Sequence, residues 1–140
     1  CGLENFGKPI SLKELKLMNI GLKSTDEINC NSFSLTHIDF SNNPNLKINI
    51  DPAKTRILKE LILSNINIRF LTSLSLFVKL ESLNLSMNNL DYHNGQFDKL
   101  VNIQILNLSN TNLKDLEFLS LSKLRYLKNL DLKNNHITFL

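Results

Sequence analysis

The sequence predicts an α/β solenoid, a horseshoe arc of about six repeats whose short parallel strands line the concave face. Three observations predict it. Residues 80–90, LESLNLSMNNL, place Leu80, Leu83, Leu85, Asn88 and Leu90 on the spacing L-x-x-L-x-L-x-x-N-x-L. Copies of that spacing follow one another at 22–24 residues, with Leu15, Ile38, Leu61, Leu83, Leu106 and Leu130 at equivalent places. Two places after each stands another apolar residue (Leu17, Phe40, Leu63, Leu85, Leu108, Leu132), and three places before each stands a third (Leu12, Leu35, Leu58, Leu80, Ile103, Leu127). Leu83 and Leu85 point to one side of a short strand, while Ser82, Asn84 and Ser86 point to the other. One unit cannot bury its own apolar side, so each needs a copy on both flanks.

The chain divides into a cap and an array. Residues 1–11, CGLENFGKPIS, hold two glycines and a proline and fit no repeat, so they are read as a cap in which Leu3 and Phe6 cover the first repeat. The array runs over 12–140, with repeats starting near 12, 35, 58, 80, 103 and 127. Asn43, Asn88 and Asn135 hold the asparagine position of repeats 2, 4 and 6, where a side-chain amide can satisfy backbone groups of the turn. Repeat 5 has Thr111 there, which can also donate and accept. Repeats 1 and 3 have Ile20 and Ile66 instead, with Asn19 and Asn65 one place early. Each departure is expected to remove one rung of a buried asparagine ladder, at about 1 kcal/mol per hydrogen bond. Repeat 2 carries one extra residue around Pro44, which delays its closing leucine to Leu46. Asp51 followed by Pro52 reads as an N-cap and first helical residue, predicting a short convex helix over 52–58. Before the strands of repeats 4–6, apolar residues recur every three positions: Leu74, Phe77 and Leu80; Phe97, Leu100 and Ile103; Leu121, Leu124 and Leu127.

The repeat spacing together with this x-x-L-x-x-L run, Phe97 included, resembles the typical animal class of leucine-rich repeats, about 24 residues long. Toll-like receptor ectodomains and secreted insect leucine-rich-repeat immune proteins are built this way. The Gly and Ile-Pro of plant receptor repeats are absent, as is the longer helical repeat of ribonuclease-inhibitor-like proteins. The resemblance covers about residues 12–140 and implies an extracellular recognition module binding a partner protein or a microbial ligand. Two other classes stay open. Abundant Lys, Asn and Ile, with Cys1-Gly2 at the start, suggest a surface adhesin or lipoprotein of an AT-rich microbe. A cytoplasmic scaffold is the third class, and it predicts free thiols and no glycans.

Composition narrows the classes further. The net charge is +3 and the basic residues are scattered along the chain, which argues against a nucleic-acid groove. No apolar run approaches the roughly 18 residues that span a bilayer, so a soluble segment is expected. No signal-peptide pattern stands at Cys1, which reads as a processed start. The chain ends at Leu140 inside the sixth repeat, which reads as a fragment of a longer array or as an uncapped edge that self-associates. A Cys1–Cys30 disulfide would close an N-terminal loop and stabilise it by roughly 3 kcal/mol. Two unpaired thiols, or a lipid on Cys1, are the other readings.

Catalytic chemistry is not indicated, and nothing calls for a metal or an organic cofactor. His37, His93 and His136 lie in different repeats with no Cys, Asp or Glu at zinc-ligand spacing. No phosphate-cradling glycine motif or nucleophile elbow occurs. His37 and Asp39 share a strand face, but no nucleophile is placed beside them. Asn84-Leu85-Ser86 and Asn107-Leu108-Ser109 are glycosylation sequons, although an N-L-S string also falls out of the repeat itself. The two asparagines are equivalent in adjacent repeats, about 5 Å apart across a sheet, so two glycans there would crowd. The outward strand positions are mixed in charge in the N-terminal half and small and neutral in the middle. Ile62 is an apolar outlier there, and Met18, His37, Asp39, Glu60 and Ile62 form the candidate ligand-binding patch.

Overall fold

A computed structural model describes residues 11–27, 34–49, 55–69, 74–92 and 95–138. Six three-residue strands form one parallel sheet in chain order: β1 (Glu14–Lys16), β2 (His37–Asp39), β3 (Glu60–Ile62), β4 (Ser82–Asn84), β5 (Ile105–Asn107) and β6 (Asn129–Asp131). The register is the one read from the repeats, with Leu15, Ile38, Leu61, Leu83, Leu106 and Leu130 aligned across the sheet. A three-residue strand cannot hold a sheet by length. It holds because the ladder continues past each strand, as in the amides of Leu63 and Asn65 donating to Asn84 and Ser86 at 2.8 and 3.0 Å. Leu58, Leu61, Leu80, Leu83, Leu85, Leu100, Ile103 and Leu108 have no exposed surface, while Leu15 and Leu130 in the outer strands are half-buried. Each central repeat is sealed by the next one, as a stacked array requires.

The parallel-sheet solenoid is as expected, and the helical share of the convex side is slight. No α-helix occurs among the described residues; the convex side carries three 3₁₀ turns, Thr25–Glu27, Leu74–Leu76 and Leu121–Lys123. The helix expected over 52–58 is not present in its described part, where 55–58 form a bend and a turn. The reason is in the three-residue apolar spacing, which is the 3₁₀ period rather than the α period. Phe77 and Leu80 donate to Leu74 and Phe77 at 3.1 and 3.0 Å, and Leu100 and Ile103 donate to Phe97 and Leu100 at 2.9 and 3.0 Å. Leu124 and Leu127 repeat the pattern on Leu121 and Leu124 at 3.0 and 3.1 Å. Each apolar residue therefore accepts from the next one along the core stripe. Leu121 departs from it at 48 % exposure, with Phe118 and Leu119 filling the interior beneath.

The asparagine ladder is present but interrupted, its rungs joining repeats 1 and 2, 3 and 4, and 5 and 6. Asn43 of repeat 2 accepts from the amides of Ile20 and Leu22 in repeat 1 and donates to Leu17 and Phe40. Asn88 does the same for Ile66 and Ile68 of repeat 3, donating to Leu63 and Leu85. Asn135 serves Thr111 and Leu113 of repeat 5, donating to Leu108 and Leu132. Ile66 therefore offers repeat 2 no such oxygen, while the amides of Ile20 and Ile66 are themselves received by Asn43 and Asn88 of the following repeats. Two amides two residues apart converge on one oxygen because the residue between them is left-handed: Gly21 (φ 69°), Asn67 (φ 60°) and Asn112 (φ 62°). Gly and Asn are the residues that enter this region at least cost.

Asn19 and Asn65 also have a role other than a shifted rung. They occupy the last laddered position before the turn, left-handed in all six repeats: Asn19, Asn42, Asn65, Met87, Asn110 and Asn134, with φ between 52° and 59°. Met87 alone lacks the short polar side chain that suits this conformation. Thr111 donates to Leu108 at 2.7 Å and accepts from the Tyr92 hydroxyl, which closes the junction of repeats 4 and 5. Tyr92 stacks on Phe118 at 4.2 Å, and burial pushes its phenol up to about 12 against the opposing pull of the Thr111 bond.

Three outcomes test this account. Met87→Asn should raise stability by about 1 kcal/mol in urea unfolding, by relieving the left-handed strain. Asn88→Ala strands buried amides and carbonyls and should cost about 3 kcal/mol, while Asn135→Ala at the half-exposed end should cost about 1 kcal/mol. Folded Tyr92 keeps a proton that the unfolded chain releases near pH 10. Its contribution is therefore intact below that pH and is lost as the pH rises through 10 toward 12. The Tyr92→Phe variant should lack this component when unfolding midpoints are compared across the range.

Candidate functional site

Three surfaces are open on the solenoid: the concave sheet face, the leading edge just before the strands and the trailing edge just after them. On the concave face the outward residues form rows across the sheet, one running Glu14, His37, Glu60, Ser82, Ile105 and Asn129 and the other Lys16, Asp39, Ile62, Asn84, Asn107 and Asp131. In the N-terminal half the fold brings His37, Asp39, Glu60 and Ile62 of the expected patch together with Glu14 and Lys16, around a recess of only about 10 Å³. That volume excludes a small-molecule pocket, which wants hundreds of cubic ångströms, and leaves a surface suited to a macromolecule.

The members of the patch are unequal. Met18 is 46 % exposed but does not line this recess. Asp39 is buried, and its Oδ1 accepts from the amide of Ser41 at 2.9 Å, so it serves the backbone first. His37 Nδ1 lies 2.8 Å from the Thr36 hydroxyl, and its Nε2 lies 4.0 Å from Glu60 Oε2. Lys16 bonds Glu14 at 2.8 Å; that bond holds the carboxyl of Glu14 below its ordinary range and the Lys16 ammonium above its own. Ile105, at 44 % exposure, is a second apolar outlier on the same face that the sequence reading passed over.

Asn84 and Asn107 are paired across β4 and β5. Each uses Oδ1 to accept from the amide two residues on, Ser86 at 3.0 Å and Ser109 at 2.9 Å. Asp39 and Asp131 make the same contact, so the turn geometry itself favours Asp or Asn here. No hydrogen bond is made by Nδ2 of Asn84 or Asn107 among the described residues. His136 is exposed. Cys1, Cys30, His93, Leu3, Phe6 and the proposed helix start at Asp51 and Pro52 lie outside the described residues. No group of three potential metal ligands occurs among the described residues, and no helix there is long and apolar enough to cross a membrane.

The leading edge escaped the sequence reading because its residues fall where the repeat pattern accepts anything. Segments 56–59, 78–81, 101–104 and 125–128 stack there, each entering its strand through a shared backbone contact. A cleft of about 480 Å³ runs along them between Ile57, Lys79, Asn102 and Tyr126, and a second of about 350 Å³ continues past Tyr126 to Lys123 and Asp98. The trailing edge carries a cleft of about 380 Å³ beside Arg69 and Asp91, an ion pair at 3.3 Å.

Neither a family model nor a curated protein matches this chain. Solved structures do. Internalin C2 of Listeria monocytogenes superposes with a TM-score of 0.72 at 19 % identity, over 91 % of this chain and 54 % of its own. The mouse RP105/MD-1 complex gives a TM-score of 0.73 at 28 % identity, over 87 % of this chain and 22 % of the matched one. A leucine-rich-repeat protein of Leptospira interrogans gives 0.67 at 24 % identity, over 92 % and 39 %. The chain spans about half the length of the first and less than a quarter of the second. All are leucine-rich-repeat solenoids, as the repeat spacing and the six-strand parallel register require of this one. The chain is a leucine-rich-repeat protein, similar in fold to Toll-like receptor ectodomains.

Proposed function

We propose that this chain is a non-enzymatic recognition module, secreted or displayed at a cell surface, that binds a protein or microbial ligand through the concave face of its N-terminal half. The observation that carries this reading is the face itself. Glu14, Lys16, His37, Glu60 and Ile62 form a nearly flat surface of mixed charge around one apolar side chain, with no room for a small substrate. Flat, chemically mixed faces with a central apolar contact are what macromolecular partners use. The likeness to RP105, solved as a complex with MD-1, supports a protein partner. Asn84 and Asn107 neighbour this region, and a glycan on either would leave the first three repeats open while covering the middle of the face.

Two measurements test the reading. Intact mass of the natively expressed chain, before and after glycan removal and reduction, should show one sugar chain at Asn84 or Asn107 and a Cys1–Cys30 bond. Free thiols without sugar would point to a cytoplasmic scaffold, and lipid mass on Cys1 to a microbial lipoprotein. Against a binder selected for the chain, Ile62→Asp should weaken affinity about tenfold or more, as expected for burying an unpaired charge at an interface centre. Unchanged affinity in Ile62→Asp, with loss in a variant of another face, would discard the concave patch.

A further inference from the structure

We infer that the leading edge is a second docking surface, built for an acidic protein segment that carries aliphatic side chains. The charge distribution is the first ground. Segments 56–59, 78–81, 101–104 and 125–128 hold five basic residues, Arg56, Lys59, Lys79, Arg125 and Lys128, against the single acid Glu81. The whole chain has a net charge of +3, so these four short segments hold more than its entire excess. Basic residues that are scattered along the sequence are gathered by the fold into one band.

Internal pairing does not consume that charge. Lys59 bonds Glu81 at 3.1 Å, and Lys128 donates to the amide oxygen of Gln104 at 3.0 Å. Arg56, Lys79 and Arg125 make no ion pair among the described residues. Their charges face solvent beside a band of apolar surface, with Ile57, Val78 and Val101 each 45–46 % exposed and Tyr126 61 % exposed. Single exposed apolar residues are ordinary, but these four share one edge in two adjacent columns, Ile57 and Tyr126 one place before the buried leucine position and Val78 and Val101 two places before it. Arg and Tyr, adjacent here as Arg125 and Tyr126, are the residue types over-represented where binding energy concentrates.

Shape selects the occupant. From Ile57 to Tyr126 the cleft crosses three inter-strand intervals of about 4.8 Å, roughly 14 Å in all, which an extended segment of four or five residues spans. Single-stranded nucleic acid would meet the same positive band, but it binds by stacking bases on successive aromatic rings. Tyr126 is the one ring in the lining of this cleft; Ile57 beside it, Val101 in the cleft beyond Tyr126 and the exposed Val78 on the same edge match aliphatic side chains instead. This surface is distinct from the concave patch, so either can fail without the other.

The test titrates the isotope-labelled chain with a synthetic peptide of Glu and Leu separated by Ser, with the same peptide carrying Ser for Leu, and with an oligothymidylate of equal charge. The Glu–Leu peptide should shift the amides of 57–59, 79–81, 102–104 and 125–128. It should bind about tenfold more tightly than the leucine-free peptide. Lys79→Glu with Arg125→Glu should weaken it about tenfold, and Tyr126→Ala about fivefold. These side chains are exposed, so an unchanged amide spectrum elsewhere certifies the folded variants. Equal binding of the leucine-free peptide, tighter binding of the oligothymidylate, shifts centred on His37, Glu60 and Ile62, or no binding at all would each overturn the proposal.

Discussion

A chain that turns inward at every repeat carries backbone amides and carbonyls into an apolar interior, and everything else depends on how those groups are met. Three side chains meet them at three of the five junctions. Asn43, Asn88 and Asn135 each offer one oxygen to two amides of the preceding repeat and one nitrogen to carbonyls of both repeats. An unpaired amide buried there would cost about 1–3 kcal/mol, a large fraction of the roughly 5–15 kcal/mol by which a domain is folded. The fully buried leucines then follow from geometry. Once the turns are fixed, the strand leucines of adjacent repeats have nowhere to go but against one another.

Much of this was legible in the sequence, and the exceptions have physical reasons. Leucine spacing fixes strand register because the alternation of a strand and the length of the repeat leave only one alignment that buries all three apolar columns of the six repeats. The convex side was misread at one point. A Pro after an Asp is a sound helix-start signal, but a helix needs more residues than a tight repeat leaves before its next strand. In the next convex segment the every-third apolar pattern of Leu74, Phe77 and Leu80 already spelled out 3₁₀ bonds. The alternation of the ladder stayed hidden for a different reason. A pattern written for one repeat shows the missing asparagine at Ile66 but not that the Ile66 amide is received 22 residues away by Asn88. Surface residues fared worst, since Lys79 and Tyr126 occupy positions the spacing leaves free and only the fold sets them along one cleft.

The same architecture divides labour between its faces. Carboxylates and amides at the strand ends, such as Asp39, Asn84, Asn107 and Asp131, are committed to the turn that follows. They shape the concave face but are poor candidates for giving up their bonds to a ligand. Side chains at the strand starts and on the edges carry no such duty. Recognition can therefore vary there while the solenoid stays intact, which is how one fold comes to serve many partners.

The pairing of unlike repeats has a consequence for how such an array can grow or shrink. An exchange that deleted repeat 4 alone would set the turn of Ile66 against that of Thr111. No asparagine oxygen would then reach the amides of Ile66 and Ile68, which Asn88 now receives. Deleting repeats 3 and 4 together would return the turn of repeat 2 to a neighbour of the same kind it has now. Inheritance by single repeats is thus penalised at alternate positions, while inheritance by twos is nearly neutral.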